Sequence, residues 1–195
     1  GGVGRRGVFG KSSGGYGALV HAMRRADVWA AAACHSGDVA FEWCYLPDLP
    51  PALRVLEPLG GSVAALLAAI EATDKPGEER LEALMMCAMA ASYDPDPTAP
   101  FGVRLPVDPQ TCELDPERWQ RWLAWDPLRM VDACAANLRT LRGLYIDCGR
   151  RDQYNLVYGA RQLHRALDRL AVQHRYDEFD DDHTAIDYRM DASLP

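Results

Sequence analysis

Residues 10–17 read Gly10-Lys11-Ser12-Ser13-Gly14-Gly15-Tyr16-Gly17, and they carry the strongest structural signal in the chain. They follow a short apolar run, Val8-Phe9, which is typical of a buried strand. They lead into an apolar, alanine-rich segment that is typical of a helix. The order is therefore a strand, a sharp turn and a helix, with a serine at the turn and glycines on both sides.

The spacing Gly-x-Ser-x-Gly at such a turn is the pattern of a nucleophile elbow, in which a strained backbone exposes a reactive serine. We expect that the positions two residues before and after the serine must be very small. Gly10 and Gly14 meet that requirement around Ser12. Ser13 is the rival, but Lys11 stands two residues before it and does not fit. We therefore predict that Ser12 is the nucleophile.

The same loop has two other interpretations. Gly10-Lys11-Ser12 resembles the end of a phosphate-binding loop of the form Gly-x4-Gly-Lys-Ser. That pattern fails, because Arg5 occupies the position of its first glycine. The plainer interpretation is a glycine-rich turn without chemistry, so the choice depends on partner residues elsewhere in the chain.

Composition excludes several classes of protein. The chain has 195 residues, which suits one domain or one domain with an inserted cap. Its net charge of −7 and the lack of a basic stripe argue against a nucleic-acid partner. It contains no apolar run long enough to span a membrane, so we expect no membrane partner. Six cysteines form no Cys-x-x-Cys pair, which favours buried free thiols and a cytoplasmic location over disulfides.

Strand-like and helix-like segments alternate along the chain, which predicts a mostly parallel sheet with helices on both faces. Residues 41–125 interrupt this alternation and are too long for an ordinary connection. We therefore predict an α/β core built from residues 1–40 and 126–195, with 41–125 as a mainly helical cap over the carboxyl ends of the strands. The predicted strands are 7–10, 28–34, 143–148 and 172–179, and the predicted helices are 14–25, 61–72, 77–92, 116–125, 127–138, 155–170 and 184–190.

An acid and a base suited to the serine follow it in the sequence. A serine hydroxyl becomes a nucleophile only beside a base, and the base needs an orienting group. Asp152 lies in the loop after the third predicted strand, and His183 lies directly past the last one. Asp147 is the rival acid, but it lies inside a strand, where a buried carboxylate suits a structural role better. For Asp152 the plainer interpretation is a helix N-cap.

The remaining parts of a site are less clearly marked. The backbone N–H of Ser13, at the start of a helix, is the expected donor to a developing oxyanion. A second donor normally comes from a loop before the elbow, which we expect to lie outside this chain. His35, Trp43 and Tyr45 are candidates for lining a substrate pocket. The alternative for the aromatic residues is that they form the cap's own core.

With these residues in place, the chain resembles the putative esterase family of α/β-hydrolases, also called the esterase D family. That family includes S-formylglutathione hydrolases, enterochelin-type esterases and mycolyltransferases. The resemblance rests on Gly10–Leu19, on Ile146–Asp152 and on His183. It implies an α/β-hydrolase fold and cleavage of small-molecule carboxylic or thiol esters through an acyl-enzyme. The implied triad is Ser12, His183 and Asp152, with no metal or organic cofactor.

The resemblance covers residues 1–40 and 126–190, and the family fold has further strands before the elbow. We therefore expect that these N-terminal strands are missing from this chain and that a longer protein supplies them. The strand at Val8-Phe9 would otherwise be an apolar sheet edge, which favours a homo-oligomer. Two alternatives stay open: an acyltransferase that uses the same triad, and a non-catalytic fragment or binding module of the same fold.

Overall fold

The computed structural model describes residues 3–194, so that Gly1, Gly2 and Pro195, at the two ends of the predicted core, lie outside the described residues. The strands are β1 (Gly7–Lys11), β2 (Ala31–His35), β3 (Gly143–Gly149) and β4 (Arg175–Phe179). The helices are α1 (Ser13–Arg24), α2 (Phe41–Cys44), α3 (Leu49–Leu56), α4 (Val63–Glu71), α5 (Glu78–Tyr93), α6 (Pro116–Leu123), α7 (Pro127–Leu138), α8 (Leu156–Arg169) and α9 (Met190–Ser193). A short 3-10 helix, Ile186–Arg189, precedes α9.

The described strands form one parallel sheet in the order β1-β2-β3-β4. In register, Lys11 pairs with His35, and His35 pairs with Asp147. Helix α1 connects β1 to β2, and α8 connects β3 to β4. The parallel sheet with flanking helices confirms the predicted fold class. Because all the strands run the same way, their carboxyl ends meet at one edge, where open α/β sheets bind ligands.

The described residues form two compact units. The first contains the sheet and consists of the chain up to Cys44 together with the chain from Asp126 onward. Within it, α1, α7 and α8 pack side by side, and α1 and α8 also contact the sheet. Leu19, Val131 and Leu163 are fully buried in this layer. Strand β1 lies at one edge of the sheet.

The second unit is Tyr45–Trp125, in which α3 and α4 both pack against α5. Its core is aromatic: the fully buried ring of Trp122 lies 5.4 Å from that of Tyr93 and 5.9 Å from that of Trp119. Arg118 on α6 donates to the buried Asp94 at 2.6 Å. The unit therefore holds its own hydrophobic core.

Two strands begin later than the apolar pattern predicts. The backbone N–H of Val28 donates to the carbonyl oxygen of Arg25 at 2.9 Å, and that of Val172 donates to the carbonyl oxygen of Leu167 at 3.0 Å. These bonds belong to the turns that follow α1 and α8. Because their N–H groups are used in these turns, neither Val28 nor Val172 pairs with a neighbouring strand.

In the described residues, neither a disulfide nor a single membrane-spanning helix contributes to the fold. All six cysteines are free thiols, and four of them are buried. No single helix among residues 3–194 is both long and apolar enough to cross a membrane. The helical segments Phe41–Leu59 and Val63–Glu71 together have the necessary length and composition, but they meet at an angle of 85°.

Two helical glycines give a matched test of the packing in the first unit. A Cβ atom at Gly159 in α8 would overlap the carbonyl oxygen of Val39, whereas one at Gly17 in α1 would meet nothing within 4 Å. Gly159→Ala is expected to lower the free energy of unfolding by about 1–3 kcal/mol through overpacking. Gly17→Ala is expected to raise it by roughly 0.5–1 kcal/mol, because alanine loses less backbone entropy in a helix. Urea unfolding of both variants measures the difference, and equal midpoints would contradict the close approach at residue 159.

Candidate active site

Ser12 lies between the end of β1 and the first residue of α1, and its backbone is strained. Its φ is 57° and its ψ is −129°, a combination that residues with a side chain rarely adopt. A serine at this N-cap position normally accepts a hydrogen bond from the helix, but the side chain of Ser12 makes no such bond. Backbone bonds hold the turn instead: Ser12 N–H donates to the carbonyl oxygen of His35 at 2.9 Å, and Tyr16 N–H donates to that of Ser12 at 3.0 Å. The hydroxyl is therefore left free of a capping role.

Glycines allow this turn to close tightly. A Cβ atom at Gly10 would overlap the carbonyl group of Gly14, and one at Gly15 would lie 3.0 Å from the carbonyl oxygen of Gly10. A Cβ atom at Gly37 would overlap the Sγ atom of Cys34. At Gly14, by contrast, a Cβ atom would meet nothing within 4 Å. The structure therefore requires a glycine at position 10, as expected, but leaves room for a larger side chain at position 14. Gly14 contributes its backbone, against which Gly10 packs.

Asp152 follows β3, His183 follows β4, and their side chains meet. Asp152 Oδ2 lies 2.8 Å from His183 Nδ1, and both residues are buried. Asp152 Oδ1 accepts the backbone N–H of Tyr154 at 3.0 Å and that of Leu156 at 3.4 Å. One carboxylate oxygen is thus engaged by the backbone and the other by the imidazole. The second backbone bond comes from the first residue of α8, so the acid also supports the start of that helix.

The surroundings of His183 fix the orientation of its ring. An ionised carboxylate can only accept, so Nδ1 carries a proton, and in the neutral ring Nε2 is left as an acceptor. The backbone N–H of His183 donates to Gln153 Oε1 at 3.0 Å. The ring of Tyr154 lies edge-on to the imidazole, with centroids 5.0 Å apart. Gln153 and Tyr154 are not among the site residues predicted from the sequence, and their place directly after the predicted acid is the only signal that could have found them.

Backbone contacts tie the loop before His183 to the end of β3. Arg150 N–H donates to the carbonyl oxygen of Phe179 at 2.9 Å, and Arg151 N–H donates to that of Asp181 at 3.0 Å. The chain passes so close that a Cβ atom at Gly149 would lie 2.5 Å from the carbonyl oxygen of Asp181. This close approach holds the loop of the base beside the loop of the acid.

The structure joins the acid to the base but does not join the base to the serine. Among the hydrogen bonds of residues 3–194, none links Ser12 to His183, and the only side-chain partner of the imidazole is Asp152. Ser13 is the first residue of α1, so its N–H belongs to the first turn, where backbone donors have no acceptor within the helix. That N–H is available at the positive end of the helix dipole.

Asp147 belongs to a separate buried network. Its Oδ1 lies 2.8 Å from His35 Nδ1, and its Oδ2 accepts Arg189 Nε–H at 2.9 Å and the Tyr145 hydroxyl at 3.1 Å. The other nitrogen of His35, Nε2, lies 2.9 Å from the Oγ of Ser193. Burial, and then the neighbouring Asp147 carboxylate, raise the pKa of Tyr145 to about 12. His35 is 1% exposed with both ring nitrogens engaged, which gives no support to a pocket-lining role and places it in the attachment of α9.

Trp43 and Tyr45 lie in different environments. Trp43 is 51% exposed, and its ring lies 6.1 Å from that of Tyr158. Tyr45 is 2% exposed and packs against Tyr93 and Trp122. Tyr45 is therefore part of the core of the second unit, whereas the indole of Trp43 is open to solvent.

A family model described as "Putative esterase" matches residues 2–192. Among solved structures, a ferulic acid esterase superposes with a TM-score of 0.52 at 15% identity, covering 98% of this chain and 49% of that one. FphF, a fluorophosphonate-binding serine hydrolase of Staphylococcus aureus, gives 0.50 at 13% identity, covering 98% and 53%. Dipeptidyl peptidase 4 of Porphyromonas gingivalis gives 0.51 at 14% identity, covering 93% and 17%.

These likenesses show the fold alone. The chain spans about half the length of the ferulic acid esterase and of FphF. No curated protein matches the sequence. The family match covers nearly the whole chain. It is therefore stronger evidence for the family of this chain than any single structural neighbour.

The elbow can be tested with two glycines that the sequence pattern treats alike. Gly10→Ala is expected to lower the unfolding free energy by about 1–3 kcal/mol, because the new methyl group would overlap backbone that cannot move aside. Gly14→Ala is the matched control and is expected to change it by less than about 1 kcal/mol, since the methyl group enters open space. Chemical denaturation followed by circular dichroism measures both. A larger loss for Gly14→Ala than for Gly10→Ala would show that the turn has another geometry.

Proposed function

The chain belongs to the esterase family whose model is described as "Putative esterase", and from that premise we propose that it carries the catalytic residues of a serine hydrolase that cleaves carboxylic or thiol esters. The observation that carries the proposal is the backbone of Ser12, with a φ of 57° and no capping bond from its side chain. Such strain costs about 1–3 kcal/mol and persists where it has a use. Presenting a nucleophilic hydroxyl to a substrate is the use that fits a serine at the carboxyl edge of a parallel sheet.

In the proposed reaction, Ser12 Oγ attacks the acyl carbon of the ester while His183 Nε2 accepts the hydroxyl proton. The carbonyl oxygen becomes an oxyanion, which accepts a hydrogen bond from the backbone N–H of Ser13. The bond to the leaving group then breaks, and His183 gives its proton to the departing alcohol or thiol. The acyl-enzyme remains. Water attacks it in the second half of the cycle, with His183 again accepting and returning the proton.

Asp152 orients the imidazole of His183 for these proton transfers. Its Oδ2 accepts a hydrogen bond from Nδ1–H, with the two heavy atoms 2.8 Å apart, which keeps Nε2 as the acceptor and stabilises the imidazolium that forms. The mechanism requires Ser12 Oγ and His183 Nε2 to come within about 2.6–3.2 Å when substrate is bound. Catalytic hydrogen bonds in free enzymes are often longer and tighten in the complex.

Two buried thiols close to the elbow do not compete with the serine. Cys34 lies under the turn, and Cys148 Sγ lies 3.9 Å from Asp152 Oδ2. Burial raises the pKa of both thiols well above the usual range. Only a thiolate is a strong nucleophile, so these cysteines stay protonated and inert at neutral pH. The chemistry of the site therefore favours a hydroxyl nucleophile.

The first functional prediction concerns the two adjacent serines. Ser12→Ala in the intact protein is expected to abolish labelling by a fluorophosphonate probe and to lower the rate of p-nitrophenyl ester hydrolysis at least about a thousandfold, because the attacking oxygen is lost. Ser13→Ala is the matched control and is expected to keep the labelling, since only its backbone N–H is used. Labelling that survives Ser12→Ala, or that disappears in Ser13→Ala alone, would contradict the assignment.

The second functional prediction separates the two buried aspartates. Asp152→Asn is expected to lower kcat by about 10³–10⁴-fold, because the amide no longer holds His183 in the required tautomer. Asp147→Asn is expected instead to lower the melting temperature and leave most of kcat, because it weakens the pairing with Arg189 and His35. Ester hydrolysis and thermal unfolding, measured on both variants, give the comparison. If Asp147→Asn lost the activity and Asp152→Asn kept it, Asp147 would be the acid.

A further inference from the structure

Three side chains with metal-ligating atoms meet at the amino end of β4, away from the carboxyl edge that holds Asp152 and His183. They are His164 and Asp168, on the last turns of α8, and His174, directly before β4. One nitrogen or carboxylate oxygen from each lies within 4.8 Å of the others. From this cluster we propose a binding site for a divalent transition metal of the zinc type.

His174 has the features of a metal ligand. Its Nδ1 lies 2.9 Å from the carbonyl oxygen of Val172, so Nδ1 carries the proton and Nε2 presents a lone pair. Ligating histidines usually donate their other N–H to a carbonyl or carboxylate in this way. The side chain is 3% exposed, so its orientation is set by packing. His174 lies within the predicted strand 172–179, but the turn at Val172 takes it out of the sheet.

His164 supplies the second imidazole. Its Nδ1 lies 2.7 Å from His174 Nε2, and its ring stacks on Tyr176 with centroids 4.5 Å apart and an interplanar angle of 14°. With Nε2 of His174 as acceptor, this short contact holds one shared proton, donated by His164. A metal ion that binds both nitrogens displaces that proton, which moves to Nε2 of His164 by exchange with water, so that the ring stays neutral. At Zn–N distances of about 2.0–2.1 Å in a tetrahedral site, the two nitrogens would move apart by about 0.6–0.7 Å.

Asp168 completes the set of ligands. It lies one helical turn after His164 on the same face of α8. Its Oδ1 lies 4.0 Å from the ligating Nε2 of His174, and its Oδ2 lies 3.6 Å from Nε2 of His164, the nitrogen that does not bind the metal. Its side chain is 62% exposed, so the carboxylate can turn toward an ion without disturbing the core. Two imidazoles and one carboxylate suit Zn²⁺ better than Mg²⁺ or Ca²⁺, which prefer oxygen ligands alone. The fourth position of a tetrahedron would hold water.

The bound metal would connect α8 and β4, the two elements that lie next to Asp152 and His183 in the sequence. Helix α8 begins four residues after Asp152, and β4 ends four residues before His183. A metal at the far end of both would join the last turns of α8 to the start of β4. Because the ion binds the folded arrangement of the ligands, it stabilises the folded state by mass action. This inference does not depend on the proposed hydrolase activity.

The test uses the metal alone. Chelator-treated protein is titrated with Zn²⁺ by calorimetry, and its melting temperature is measured with and without the ion. We expect one site for each chain and a rise in melting temperature. His164→Gln is expected to abolish binding, and Asp168→Asn to weaken it at least about tenfold. His21→Gln, which changes an exposed helical histidine outside the cluster, is the matched control and is expected to bind as the wild type does.

His164→Gln could lose the metal simply because the variant unfolds. Asp168→Asn is not open to this objection, because an exposed residue can be changed without unfolding the chain. Cobalt substitution then identifies the ligands. A visible spectrum without a thiolate-to-cobalt charge-transfer band supports the histidine and aspartate set. Such a band would place the metal on cysteines and overturn the proposal. The same conclusion follows if the wild type binds no Zn²⁺, or if His164→Gln binds it unchanged.

Discussion

The hydrogen bond from Ser12 N–H to the carbonyl oxygen of His35, at 2.9 Å, is the interaction on which the site depends. It ties a strained turn to the end of the neighbouring strand, so that strain of about 1–3 kcal/mol is held by the sheet and not by the turn alone. Gly10 lies against the backbone of Gly14, and Gly15 lies against the carbonyl oxygens of Gly10 and His35, so the chain has no room to relax. The serine is thereby presented at the carboxyl edge, where β3 and β4 also deliver an acid and an imidazole.

Much of the fold follows from local rules. Asp126 before Pro127 predicts a helix start, and Asp126 Oδ1 does accept the N–H of Leu128 at 2.9 Å. The same carboxylate also accepts the N–H groups of Ala40 and Phe41, which no local rule predicts because those residues are distant in sequence. Helix α3 is absent from the predicted helices for a different, local reason. Its two prolines discouraged a helix prediction, but they stand in the first turn, where no N–H is needed within the helix.

The sequence likewise predicts part of the candidate active site. Chain order and strand ends single out Asp152 and His183, and their side chains meet at 2.8 Å. The sequence could not show that Gln153 and Tyr154 orient the imidazole, because that depends on how the loop before His183 folds back over Gly149. The cluster of His164, Asp168 and His174 was equally hidden. His174 lies within the predicted strand 172–179, and only the turn after α8 brings it to His164.

Two imidazole–carboxylate pairs with the same 2.8 Å separation lie in this one unit, and they are not equivalent. His35 has a carboxylate on one nitrogen and the hydroxyl of Ser193 on the other, which in outline is also a serine, a histidine and an aspartate. There the carboxylate is already paired with Arg189, and the ring is almost fully buried. Moving a proton within that network would not stabilise it, because each of its polar groups already has a hydrogen-bond partner. His183 differs because Nε2 has no hydrogen-bond partner among residues 3–194, and an imidazole with one unused acceptor next to a fixed carboxylate is what a general base requires.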